Sequence, residues 1–361
     1  MQRIAPGPRR ILPALFLLAF AAAPFAFAQT PTVFVHDGSA GELRSFAFDA
    51  RSGALAEVLP ALELLGGATE CEAGCGTLVT TADGTLFAAA TGAGVELFSR
   101  GVDGRLARAF AQALDGTGAV TGLALLERPR ASVLELYAAD RTNGVLRHAR
   151  IDRTAGSAQW TGTALPLGTS GGAASLALGG GRLYVAQPLD GAIHAFALDA
   201  ASGTPTALAN SPFSFAGLEA PSELRLDRRA RTLVANDLRS GTYARFAIDT
   251  TSGAPLAPTL IASTASATHL FGISRNGRTL YGGGPGALEA IDLRTGTRTA
   301  LAQLDTPLAG ALDAKGRHLL VFAGAATRVH GLRRQAPVDP PVFADPALLT
   351  LAASGIVVLR R

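Results

Sequence analysis

Lysine is nearly missing from this 361-residue chain: Lys315 is the only one among 32 basic residues, and arginine carries the rest as a bias of composition. Tryptophan occurs once, at Trp160, and aromatic residues reach only 6%, which argues against a surface built to stack on carbohydrate rings. Cysteine occurs twice, too rarely for a disulfide scaffold. No block of like charges is present, so there is no electrostatic footprint for nucleic acid or for an anionic membrane. What is abundant is glycine (42) and proline (20), within a chain that is 48% hydrophobic. That apolar fraction is too high for a disordered polymer, and the glycines have no collagen period, so the chain is folded and rich in turns.

Residues 1–28 hold Arg3, Arg9 and Arg10, no acid, and an apolar stretch from Ile11 to Phe27 that ends in Ala26-Phe27-Ala28. This is the pattern of a secretory signal peptide cleaved after Ala28. The alternative, a membrane anchor, is disfavoured because Pro13 and Pro24 interrupt a run that would need roughly 20 unbroken apolar residues. Losing the leader leaves 29 of the 32 basic residues against 28 acids, a nearly neutral mature chain. The expectation is an exported protein, periplasmic or extracellular, with no membrane insertion after cleavage and residues 29–361 forming one domain. In such a compartment Cys71 and Cys75, in Cys-Glu-Ala-Gly-Cys, are expected to form a disulfide that shapes one small loop.

One motif recurs along the chain. An apolar alternating run reaches an aspartate and turns at Ser/Thr-Gly, as in Phe46-Ala-Phe-Asp49-Ala-Arg-Ser52-Gly53, Phe196-Ala-Leu-Asp199-Ala-Ala-Ser202-Gly203, Phe246-Ala-Ile-Asp249-Thr-Thr-Ser252-Gly253 and Ala290-Ile-Asp292-Leu-Arg-Thr295-Gly296. With looser copies ending at Gly104 and Gly156, the turn glycines fall 43 to 52 residues apart. A second marker, a short strand such as Leu136-Tyr-Ala-Ala or Leu183-Tyr-Val-Ala, keeps the same period through seven occurrences. Three or four period-two strands per unit, with no long helical stretch, describe a β-propeller blade. The fold class is therefore all-β, a seven-bladed β-propeller. Val33 opens directly on a marker strand, so the missing inner strand is expected from the C-terminal run Gly355-Ile-Val-Val-Leu359, closing the ring in a blade shared by the two chain ends.

Segments such as Asn276-Gly-Arg-Thr-Leu-Tyr281 and Arg231-Thr-Leu-Val-Ala-Asn236, each followed by a hairpin and an Asp turn, resemble the lactonase-like seven-bladed propellers, which include 6-phosphogluconolactonase and carboxymuconate-lactonising enzymes. The resemblance spans the mature chain. For the enzymatic members it implies a histidine on an inner strand and a glutamate after the following strand, but the matching positions here are Ser175 and Pro188, neither able to do acid–base work. The fifth unit keeps Glu223 with Arg225 two residues on, where the family tends to carry an acid and a histidine.

Alternation places Glu223 and Arg225 on one side of a strand. With His269 from the next unit they are the candidate catalytic residues, and Asp237 is a candidate ligand-binding residue at the same channel mouth. Asp140, Asp199, Asp249 and Asp292 recur with the blades, and recurrence points to turn capping instead of a site that would occur once. His36, His148, His194, His318 and His330 have no metal-ligand spacing, so neither metal nor cofactor is expected. The leading expectation is a monomeric scaffold, not catalytic, that binds a small molecule or a protein at the channel mouth. The alternative is a hydrolase of a non-phosphorylated sugar or aromatic lactone.

Overall fold

The computed structural model describes residues 32–37, 40–49, 55–67, 77–110, 114–115, 118–128, 131–172, 174–263, 269–303, 307–313, 316–323, 326–333, 336–337, 342–343 and 353–359. The leader, Cys71, Cys75 and Gly53 lie outside these residues. Regular structure among them is β throughout, in a β-propeller arrangement of small antiparallel sheets.

The described strands pair into seven sheets of four or five. Taken along the chain, their inner strands are Leu78–Thr80 in the second sheet, Val120–Leu126 in the third, Leu176–Gly179 in the fourth, Pro221–Leu226 in the fifth, His269–Ile273 in the sixth and Pro307–Leu312 in the seventh. The first sheet draws on both chain ends. Ala353–Val358 pairs antiparallel with Val33–Asp37, in the register Val33↔Val358 and Val35↔Ile356, and also lies beside the inner strands of the seventh and second sheets.

Burial explains the composition of the strands. The second strand of each unit is covered on both faces by neighbouring sheets, so Leu86–Thr91 and Thr279–Gly284 are buried along their whole length. Small residues, such as Ala88-Ala-Ala90 and Gly282-Gly-Gly284, let the sheets come close at that point. The outermost strand has solvent on one side, and Arg298–Ala302 is largely exposed. Seven apolar clusters fill the gaps between successive sheets. One of them packs Val33, Val35 and Phe46 of the first sheet against Leu320 and Phe322 of the seventh. Fully burying each such side chain contributes about 1.5–3 kcal/mol.

Two of the Asp turns fasten their sheet to the one before it. Asp199 accepts from the backbone N–H groups of Ala201 and Ser202, Asp249 from Thr251 and Ser252, and Asp292 from Arg294 and Thr295. Gly203 and Gly253 close two of these turns at φ of 71° and 80°, a region glycine enters without steric cost. The Tyr137 hydroxyl donates to the Gly203 carbonyl at 2.6 Å, and Tyr184 does the same to Gly253 at 2.8 Å. Tyr137 and Tyr184 thus bolt the third sheet to the fourth and the fourth to the fifth.

Candidate functional site

A cavity of about 370 Å³ opens at the hub and is lined by inner-strand residues of all seven sheets. Apolar residues are numerous in its lining, but Leu78, Leu123, Leu176 and Phe271 are buried in the clusters between sheets. Its ionisable residues are Glu223, Arg225 and His269, all from the adjoining fifth and sixth sheets.

Glu223 is fixed from several directions. The pairing of Pro221–Leu226 with Thr232–Asp237 shifts register between Pro221 and Leu224, a bulge that takes Glu223 out of the regular ladder. Its N–H donates instead to Asn236 Oδ1 at 2.6 Å, and the Ser222 hydroxyl donates to the same oxygen at 3.0 Å. The carboxylate then reaches the sixth sheet. Oε1 meets His269 Nδ1 at 2.6 Å, and Oε2 accepts from the Leu270 N–H at 2.7 Å. An ionised carboxylate can only accept, so Nδ1 carries the hydrogen and Nε2 is the ring nitrogen left to serve the cavity. Burial alone would lower the His269 pKa, but the charge and hydrogen bond of Glu223 outweigh it, and the net shift is upward.

Arg225 lies two residues further along the same strand, half-buried, with Nη1 donating to the Leu224 carbonyl at 3.1 Å. Burial draws its pKa below the usual arginine value, against the opposing pull of Glu223. A close approach of backbone shapes the far side. At Gly310 a Cβ would sit 2.5 Å from the Phe271 ring, so glycine lets the sixth and seventh inner strands hold Phe271 in the cavity wall.

Three of the four residues named from sequence therefore meet, and Asp237 does not join them. It is buried, and both oxygens are spent on backbone N–H groups: Glu219 and Ala220 on Oδ2, Arg239 and Ser240 on Oδ1. Burial pushes its pKa up, yet these donors hold the carboxyl below its usual range. Asp37 and Asp140 close their strands in the same way, accepting from Ala40 and Asn143. Asp237 is thus one of a recurring set of hairpin caps.

Ser175, at the position where the resemblance implies histidine, is buried, and its Oγ accepts from the Leu224 N–H at 3.2 Å. It braces the strand that carries Glu223 and Arg225. Pro188 sits in the turn after Arg182–Gln187, away from the cavity wall. Sequence reasoning missed this bracing and missed Asn236. Among the described residues no cluster of three potential metal ligands occurs.

No protein-family model matches the chain, and no curated protein matches it in sequence. Solved structures do match in shape. A candidate 6-phosphogluconolactonase of Bacteroides fragilis superposes with a TM-score of 0.70 at 15% identity, over 93% of this chain and 100% of its own. The periplasmic gluconolactonase PpgL of Pseudomonas aeruginosa gives 0.68 at 14% identity, over 91% and 99%. A protein of Lactobacillus plantarum gives 0.69 at 14%, also over 91% and 99%. The chain has the fold of the lactonase-like β-propellers. Among the described residues no helix is long and apolar enough to cross a membrane.

Proposed function

We propose that the mature chain, residues 29–361 after loss of the leader 1–28, is an exported, monomeric seven-bladed propeller that hydrolyses a non-phosphorylated lactone at its hub. The observation that carries this reading is the 2.6 Å contact of His269 Nδ1 with Glu223 on the wall of the hub cavity, which Arg225 also lines. A ring closed through a shared first blade is supported by the pairing of Val33–Asp37 with Ala353–Val358 and by the apolar cluster between the first and seventh sheets. The leader supports export, and a phosphorylated sugar lactone, made in the cytoplasm, fits an exported enzyme poorly.

Each group has one task. Glu223 orients the imidazole and stabilises its protonated form. His269 Nε2 takes a proton from water as the oxygen attacks the lactone carbonyl carbon. The carbonyl π electrons move to oxygen, and the Arg225 guanidinium stabilises the oxyanion. When the carbonyl re-forms, the ring C–O bond breaks, and the imidazolium returns its proton to the departing alkoxide. One water is consumed, and the product is a hydroxy acid that ionises to its carboxylate.

Sequence reasoning placed a non-catalytic scaffold first; the joining of His269 to Glu223 favours the hydrolase. One observation favours the scaffold reading. The Arg225 guanidinium on the cavity wall suits retention of a carboxylate ligand without turnover. Assaying purified mature protein against sugar, alkyl and aromatic lactones separates the two, with Glu223→Ala as control. Turnover that the substitution removes is the expected result. Inactivity across the panel would return the scaffold to first place.

A further inference from the structure

Antiparallel order puts the first and third hairpins of a sheet at one end and the second hairpin, which carries the Asp237 cap, at the other. At the first end, the seams between neighbouring sheets pair basic residues with acids in two places. Between the second and third sheets Arg153 Nη2 lies 3.4 Å from Asp83. Between the third and fourth, Arg128 braces the Asp199 turn by donating to the Ala201 carbonyl at 2.7 Å, and Glu135 stands 3.5 Å away. Between the fourth and fifth the brace is repeated without the acid. Arg182 donates to the Thr251 and Ser252 carbonyls of the Asp249 turn at 3.3 and 3.4 Å, and forms no ion pair among the described residues.

A cleft of about 160 Å³ opens beside this brace, lined by Arg182, Arg229, Arg231, Asp249 and Thr250. It shares no lining residue with the hub cavity. Glycine makes it possible: at Gly180 a Cβ would sit 2.9 Å from that of Ala230, so the first hairpins of the fourth and fifth sheets can close on each other. Arg229 and Arg231 are exposed on either side of Ala230, whose left-handed φ of 52° turns the hairpin between them. The acids nearby are engaged with backbone. Asp249 Oδ1 accepts from Thr251 and Ser252, and Asp227, outside the lining, gives Oδ1 to the N–H groups of Arg231 and Thr232. Three guanidinium charges against one carboxylate leave the lining with two positive charges in excess.

We propose that this cleft binds a tetrahedral dianion, either free phosphate or the terminal phosphate of a monoester. A phosphate group carries a charge of about −1.5 to −2 at neutral pH, which matches the excess, and it offers several oxygens to the planar forks of arginine. A single carboxylate would neutralise only half of that charge. The site is independent of the hub and does not rest on the hydrolase reading.

The test is calorimetric titration of the mature protein at low salt with inorganic phosphate, methyl phosphate and acetate. Phosphate is expected to saturate one site and to bind at least about tenfold more tightly than acetate, the difference made by one further charge-assisted hydrogen bond. Methyl phosphate binding as well as phosphate supports a monoester as the source; a loss of about tenfold on methylation supports the free ion. The double variant Arg229→Gln/Arg231→Gln alters only exposed side chains and is expected to weaken phosphate binding by about tenfold or more, with thermal melting unchanged when phosphate is absent. Thr250→Glu, which adds an acid to the lining and removes no arginine, is expected to weaken it too. Arg239→Gln, exposed at the opposite end of the fifth sheet, is expected to bind phosphate as before. Absence of saturable phosphate binding, acetate bound as tightly as phosphate, or phosphate binding undiminished in both cleft variants would each overturn the proposal.

Discussion

Among the described residues two histidine–glutamate pairs, one fully buried and one at the cavity wall, look alike on paper and differ in consequence. His269 meets Glu223 at 2.6 Å at the hub; His148 meets Glu135 at 2.8 Å within the third sheet. In the second pair Tyr137 stacks on the imidazole at 5.1 Å, and Arg128 and Arg150 lie 3.5 and 3.8 Å from the carboxylate. Burial and those arginines outweigh Glu135, so the His148 pKa falls. At the hub, Glu223 outweighs burial and the His269 pKa rises. The lesson is that a histidine–carboxylate contact is not in itself a site. It becomes one where the second ring nitrogen has a cavity before it, and His269 lines the cavity while His148 does not.

The comparison can be broken most sharply at the hub. His269→Gln is expected to lower lactone kcat/KM by about 10²–10⁴-fold, the usual contribution of a positioned general base. Circular dichroism should show the fold intact. Equal turnover by this variant would remove His269 from the mechanism. The same substitution in the other pair, His148→Gln, should act on stability alone. Losing a hydrogen bond to a buried carboxylate costs about 1.5–3 kcal/mol, readable in urea unfolding, with kcat/KM unchanged.

A smaller effect, in pH dependence, sharpens the contrast. A general base works when neutral, so kcat/KM should rise with pH through an apparent pKa above 6.5, the ordinary imidazole value. The stability contributions run in opposite directions. That of His269, whose folded pKa is raised, is complete below 6.5 and is lost as pH climbs through the folded value. That of His148, whose folded pKa is depressed, is complete above 6.5 and is lost as pH falls toward the folded value. Imidazole resonances followed by NMR should titrate on opposite sides of 6.5; both moving to one side would show that the two environments are equivalent after all.

The propeller was legible because its signals are local. The Asp turn needs only an aspartate and the N–H groups two and three residues on, and the marker strands alternate within six residues. The candidate residues Glu223 and Arg225 were legible for the same reason, being two apart on one strand. Asp237 caps its hairpin as Asp37 and Asp140 cap theirs, a role set by backbone N–H groups that its isolated position in the sequence did not show. The bulge that lifts Glu223 from its ladder and the brace from Ser175 left no mark, since each depends on a neighbouring strand.

What the sequence by itself determined is the blade: strand, turn, strand, and the aspartates and glycines that punctuate them, all set by sterics and hydrogen bonds within a few residues. Which acid meets which histidine was decided by tertiary structure alone. Glu223 and His269 stand 46 residues apart and touch only because neighbouring inner strands lie side by side around the hub. The same packing sets His269 on the cavity wall and closes His148 beneath a tyrosine, so one imidazole borders the hub and the other holds its sheet.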